Sequence, residues 1–209
     1  MSAVIHDADV NRADNVRRGR LLEYFTLAWN LLEAVIAIGS GIIAGSISLV
    51  GFGIDSVIEC MSGGVLLWRL REGPHGDSRE RIALKLVGIS FLALAAYIAF
   101  EAIKALDAHE APAVSYIGIA IAALSLVVMP LLARAKRRVA TDIHSHALEA
   151  DARQSDLCAY LSAILLVGLV LNAIFAWWWA DPVAGLIMLP IIAKEGVDAL
   201  RGKTCDDCH

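Results

Sequence analysis

Charge is what this sequence is short of. Asp, Glu, Lys and Arg make up 19% of it against 58% hydrophobic residues, a balance that excludes a soluble domain. Also missing is any polar stretch long enough to fold by itself. A chain of 209 residues leaves room for about six membrane-crossing helices with short links and little else. The N-terminal stretch lacks the apolar core and cleavage site of a secretory signal, so it is expected to stay on the chain as a polar segment. Cations that could neutralise acids in lipid are scarce: Lys104 and Arg153 are the only ones expected inside or beside the spans, and each has an acid of its own nearby. A net charge of −4 gives no reason to expect a nucleic-acid partner.

What is present is organised around Ile47 to Arg71, ISLVGFGIDSVIECMSGGVLLWRLR. The run is long enough to cross a bilayer as a helix, since roughly 20 residues rising 1.5 Å each span the hydrocarbon core. It nevertheless carries Asp55 and Glu59 deep within it, where an uncompensated charge costs at least about 2.5 kcal/mol. Their i,i+4 spacing puts both carboxylates on one helix face, in line with Gly51 and Gly63, while Val57, Leu66 and Leu67 look elsewhere. Two oxygen donors converging at mid-membrane point to a cation. The alternative is that they pair with a basic residue of another helix or serve only as packing determinants.

The remaining chain supplies five more spans. Residues 1–20 are a polar segment with four arginines, whose His6, Asp7 and Asp9 are expected to be solvated. The first span covers about residues 21–44, with Asn30 and Glu33 at i,i+3 and a small-residue run of Gly39, Ser40, Gly41 and Gly45 suited to close helix packing. Glu33 is a further buried acid, either a proton carrier or a partner of Asn30 or nearby backbone. After the link with His75 and Asp77, expected as an ordinary polar loop, come spans near residues 82–106 and 113–133 with no charge at their middles. Glu101 and Lys104 form an interfacial pair at the end of the first of these. The fifth span places Asp151, Gln154, Cys158 and Ser162 on one face and Arg153 with Asp156 on another. Trp177, Trp178 and Trp179 mark its far interface, and the sixth span starts at Asp181 and Pro182 and ends near Leu200. Basic residues cluster before the first span, after the second, after the fourth and after the sixth, which predicts that both termini are cytoplasmic. The expected fold is therefore an all-α membrane protein: an N-terminal segment over 1–20, six transmembrane helices over 21–200, and a short tail over 201–209.

With DSVIE at 55–59 inside an uncharged span, and WADPVAGLIMLP at 179–190, the chain resembles the cation diffusion facilitator (cation efflux) family of divalent-metal transporters over its whole membrane region. In that family the second span carries two acids, or His and Asp, separated by three residues. The fifth carries Ala-Asp and then a His-x-x-x-Asp pair. Aligning Ala150 and Asp151 to that start puts Gln154 and Cys158 at the positions of the pair. Glu59 stands where the family has its second Asp, Gln154 where it has His and Cys158 where it has Asp. No counterpart of the family's cytoplasmic C-terminal domain is seen in the sequence. The resemblance also implies a homodimer in the cell (inner) membrane, transport in place of enzyme catalysis, and exchange of metal for protons.

Asp55, Glu59, Gln154 and Cys158 would offer four donors for tetrahedral Zn²⁺, with Asp151 as the alternate donor should Gln154 only pack. The thiolate favours zinc, cadmium or copper over magnesium and calcium; the carboxylates keep Mn²⁺, Fe²⁺ and Co²⁺ open. Because a bound ion requires these donors deprotonated, metal and protons compete for one site, with Asp55, Glu59 and Glu33 as the groups that would couple them. A non-transporting metal sensor or buffer, or a structural membrane subunit, is the competing reading. Cys205, Cys208 and His209 of the tail form either a soft-metal site or a segment without a role; their C-x-x-C-H spacing also fits haem attachment, but on the wrong side of the membrane. Cys60, rotated 100° from Glu59 on the helix, is expected to pack.

Overall fold

In lipid a backbone must satisfy its own N–H and C=O groups, and a continuous helix does so within one segment. Among its described residues the computed structural model has six α-helices: α1 (Ser2–Ala44), α2 (Ile47–Glu72), α3 (Asp77–Ala108), α4 (Tyr116–Ile143), α5 (His146–Phe175) and α6 (Ala180–Leu200). It describes residues 2–72, 77–109, 112–143 and 145–201, the side chains of 2–14, 65–66, 68–72, 77–84, 146–147 and 150 excepted. The protein is an all-α membrane protein, and no strand occurs among the described residues. The helix of the first span is continuous from Ser2, so the polar segment before residue 21 is a helix leading into it. Among the described residues five helices are long and apolar enough to cross a membrane, α1 to α5. The sixth expected span forms as a 21-residue helix, but Asp181, Lys194, Glu195 and Asp198 keep it outside that group.

The outward faces are apolar. Ile42, Ile43, Val35, Phe100, Tyr116, Ile117 and Ile174 are all exposed, as side chains facing lipid should be. Inward, α1, α2, α5 and α4 contact one another in a closed ring, in that order. The helices α3 and α6 pack as a pair against the α2 and α5 side of it. Small residues bring the ring helices together: a Cβ built on Gly53 of α2 would lie 2.9 Å from the Ile38 backbone nitrogen of α1. Likewise a Cβ on Gly41 of α1 would lie 2.9 Å from the backbone nitrogen of Val50. Side chains at either position would push α1 away from the helix that carries Asp55.

One polar contact sets the register of α2. Gly45, with φ of 67°, turns the chain out of α1, and Ser46 caps α2 by accepting from the Leu49 N–H at 3.2 Å. Ser46 then donates to Asp181 Oδ1 at 2.6 Å, and Ile47 N–H donates to Asp181 Oδ2 at 2.8 Å. The Ser48 hydroxyl donates to the same carboxylate. Asp181 is fully buried, and two hydroxyls and a helix N-terminus with its partial positive charge compensate its charge. An acid in the first turn of α6 thus fixes the start of α2, two turns before Asp55. Nearby, Trp177 stacks on Trp179 at 4.9 Å between ring centroids and Trp178 meets His109 at 4.6 Å, so the expected aromatic belt gathers at this end of the bundle. Replacing Asp181 with Ala strands three buried donors and is expected to lower unfolding stability by about 1–3 kcal/mol. The midpoint of thermal or detergent-induced unfolding reads this; an unchanged midpoint would show that α2 is held by packing alone.

Candidate metal centre

Three helices of the ring deliver polar side chains to one buried place. On α2, Asp55 and Glu59 are four residues apart and so face the same way, with Ser56 beside them; on α1, Asn30 and Glu33 do the same. Cys158 comes from α5. All six side chains are buried, Cys158, Glu33 and Ser56 completely. One ligand atom each from Asp55, Glu59 and Cys158 lie within 4.8 Å of one another. Donors bound tetrahedrally at zinc distances stand about 3.3–3.7 Å apart, so small side-chain adjustments would close these three on one ion.

The surroundings are poor in positive charge. Asn30 Nδ2 donates to Glu59 Oε2 at 2.9 Å, the Ser56 hydroxyl donates to Glu33 Oε2 at 2.7 Å, and the Cys158 thiol lies 3.9 Å from the same Glu33 oxygen. Those donors are an amide, a hydroxyl and a thiol, none of them charged. Asn30 Oδ1 is buried with no hydrogen-bond partner, and the Ser125 hydroxyl of α4 and the Trp29 indole N–H of α1 are two further neutral donors facing Glu33. Three carboxyl groups and a thiol in one dry place form a cluster of oxygen and sulfur donors whose partners are neutral.

The expected donors are distributed as follows. Asp55, Glu59 and Cys158 converge. Gln154 is half-buried one turn before Cys158 on α5. Asp151 stands outside the converging three and is instead ion-paired with Lys136 of α4. Lys136 is completely buried and also holds Glu23 of α1, 2.9 Å from its Oε2. This corrects the expectation that Lys104 and Arg153 are the only cations in or beside the spans. Glu33 is in contact with the cluster through Cys158, and Asn30 bonds Glu59 in place of Glu33. Arg153 donates to Glu149, and Asp156 is engaged by Arg137. Cys60 turns to the Leu27 carbonyl of α1 at 3.6 Å. His6, Asp7, Asp9, His75 and Asp77 have no described side chains, and Cys205, Cys208 and His209 lie outside the described residues.

Comparison with known proteins gives the same region a family context. Residues 24–203 match the family described as the cation efflux transmembrane domain. Transmembrane protein 163 of Xenopus laevis is 27% identical over 194 residues, which cover 91% of this chain and 69% of that protein. An uncharacterised transporter of Methanocaldococcus jannaschii is 30% identical over 182 residues, 83% of this chain and 64% of its own length. The chain therefore spans about two thirds of the length of these relatives.

Reading the sequence missed Lys136, Glu23 and Asp181. Lys136 had a visible signal: Ala122, Ser125, Met129 and Ala133 form the buried stripe of α4, and the next position of that stripe is 136. Asn30 gives a test of how far α1 supports the centre. Asn30→Ala frees the Glu59 carboxyl to turn, and is expected to weaken divalent-metal binding about 10- to 100-fold in an equilibrium titration. Affinity unchanged by that substitution would make the contact irrelevant to the site.

Proposed function

The chain belongs to the cation efflux family, a family of membrane cation transporters, and from that premise we propose that it carries a divalent transition metal, Zn²⁺ foremost, out of the cell in exchange for protons. The observation that supports this reading is the convergence of Asp55, Glu59 and Cys158 in a buried place surrounded by neutral donors. Asp55, Glu59 and Cys158 would hold the ion, with the Gln154 amide oxygen one turn away as the fourth donor. Asn30 and Glu33 would orient them from α1.

The donor set fits the cargo. Two carboxylates bring two negative charges, which a divalent ion neutralises, and a thiolate shifts preference toward zinc and cadmium and away from magnesium and calcium. Metal binds only to the deprotonated donors, so each ion that enters displaces protons and each proton that returns releases metal. A proton gradient directed inward then drives metal outward. Access from each side in turn would come from the α3–α6 pair moving against the four-helix ring, an arrangement in which the site stays in place while its walls shift. Both termini would lie in the cytoplasm, a reading the distribution of basic residues supports, and two copies would form the working unit through their small-residue faces. The Cys205, Cys208 and His209 tail would gather soft metal at the cytoplasmic mouth.

Reconstituted in sealed vesicles, the chain is expected to accumulate Zn²⁺, and Asp55→Ala to abolish accumulation. Uptake that survives this change removes Asp55 from the path, and binding without accumulation would make the protein a sensor or buffer. Apparent metal affinity should fall as pH falls, by about tenfold per unit for each proton displaced. In anaerobic titration Cys158→Ser should weaken zinc and cadmium binding about tenfold or more while sparing Mn²⁺. Equal losses for all these ions would show that the thiol is not a ligand.

A further inference from the structure

The end of the bundle at which α1 passes into α2 holds a cavity of about 340 Å³, apart from the metal centre. Its volume falls in the range of small-ligand sites, about 300–1,000 Å³. Both α1 and α3 pack on α2 but, among the described residues, hardly on one another, so a cleft is left between them over the start of α2. Glycine keeps that cleft open. Gly45 turns the chain at a φ of 67°, and a Cβ built there would meet nothing within 4 Å; Gly41, one turn earlier, lines the same space without a side chain. Ile42 of α1 and Tyr97 of α3 also line it and are both exposed on the outward surface, so the cavity opens toward lipid.

Its walls carry both signs of charge beside apolar surface. Ile47, Val50 and Pro182 are apolar, whereas Glu101 and Lys104 of α3 face each other with Nζ 3.5 Å from Oε2. Their side chains are 29% and 59% exposed, and an ion pair in such a position contributes at most about 1 kcal/mol, so a ligand that offers each charge a closer partner can part it. Asp181 lines the same cavity, its carboxylate already engaged by Ser46, Ser48 and the Ile47 N–H. Two carboxylates against one ammonium disfavour a ligand that is only anionic. A ligand with a phosphate for Lys104 and a cationic N–H group for Glu101 satisfies both. Lys104 is one turn from the end of α3, and Trp177 stacks on Trp179 at this end of the bundle, which puts the pair at the level of lipid headgroups.

We propose that this cavity binds one phospholipid whose headgroup carries a phosphate and a primary ammonium, the chemistry of phosphatidylethanolamine. The phosphate lies on Lys104, the ammonium donates to Glu101, and the glycerol end of the acyl chains fills the space beside Gly41 and Gly45. A choline headgroup has the same charges but no N–H to donate, and a glycerol headgroup has no cation, so the pair discriminates among the three. The proposal stands on the membrane fold and does not depend on the transport reading. Ser46 and Asp181, which join the start of α2 to α6, line the cavity as well, so the bound lipid packs beside the contact that fixes the register of α2 and adds to its stability.

The test is lipid retention by the purified full-length chain, stripped of lipid in detergent and titrated in the absence of metal. The probes are phosphatidylethanolamine, phosphatidylcholine and phosphatidylglycerol with identical acyl chains, and native mass spectrometry counts the copies held. One phosphatidylethanolamine per chain is expected to bind about tenfold more tightly than either of the others. Glu101→Ala should bring it down to the phosphatidylcholine level, and Lys104→Ala should weaken both of these lipids about tenfold. Equal retention of the three lipids, or a preference for phosphatidylglycerol, overturns the proposal. Phosphatidylethanolamine binding left unchanged by either substitution overturns it as well, because the lipid then sits elsewhere. Should a variant fail to fold, the order of the three lipids on the unaltered chain decides.

Discussion

In a bilayer no water reaches the interior to shield a carboxylate, so each buried acid of this protein must find its compensation among other parts of the same bundle. The buried acids divide according to what they find. Asp181 has a helix N-terminus and the hydroxyls of Ser46 and Ser48. Glu23 and Asp151 share one lysine. Glu59 is met by an amide and Glu33 by a hydroxyl and a thiol, none of which carries charge, with Asp55 buried beside them. The acid that caps α2 holds the fold together, the Glu23–Asp151 pair is held by a buried ammonium, and the third group has only neutral donors around it. Along α2 the three follow in a different order: the capped end first, the group with neutral donors at its middle, and the lysine-paired acids beside Gly63 beyond it.

Compensation of this kind depends on backbones that approach closely. Asn30 reaches Glu59, and Ser56 reaches Glu33, only because Gly41 and Gly53 let α1 and α2 pack nearly backbone to backbone. Gly88 of α3 and Gly196 of α6 do the same on the other side, where a Cβ on Gly88 would come within 2.8 Å of the Gly196 carbonyl oxygen. The rigid pair α3–α6 and the ring are therefore each tightly built, and α6 meets α2 through the Asp181 cap at one end. A movement of the pair against the ring has that end as its natural pivot.

Legibility in the sequence follows the range of the interaction. Asp55 and Glu59 were readable because one helix fixes their relative direction, and the number of helices was readable because each needs its own apolar run. The fifth-helix stripe of Asp151, Gln154, Cys158 and Ser162 was readable for the same reason, but not that Asp151 would be taken by Lys136. That depends on the register between α4 and α5, and Lys136 sits among Arg134, Arg137 and Arg138, where a charge-count reading assigns the whole cluster to water. Only the helical period separates it from them, because 136 continues the buried stripe while 134, 137 and 138 do not. Asp181 was hidden by its own helix: a Trp-Ala-Asp-Pro start reads as the first turn of α6, and nothing local announces that its carboxylate caps α2, 135 residues from Ser46 in the chain.

The helix that offers no donor to the converging three has the widest reach. Glu23, Thr26, Asn30 and Glu33 of α1 recur at intervals of three, four and three residues and are all buried, so they form one continuous polar seam down the apolar second half of the helix. Its upper members touch Glu59, Ser56 and Cys158, and its lowest touches Lys136. An α-helix does not stretch, so a shift of α1 that breaks the contact at Asn30 also displaces Glu23 by a comparable amount. The two clusters are thereby joined through one helix.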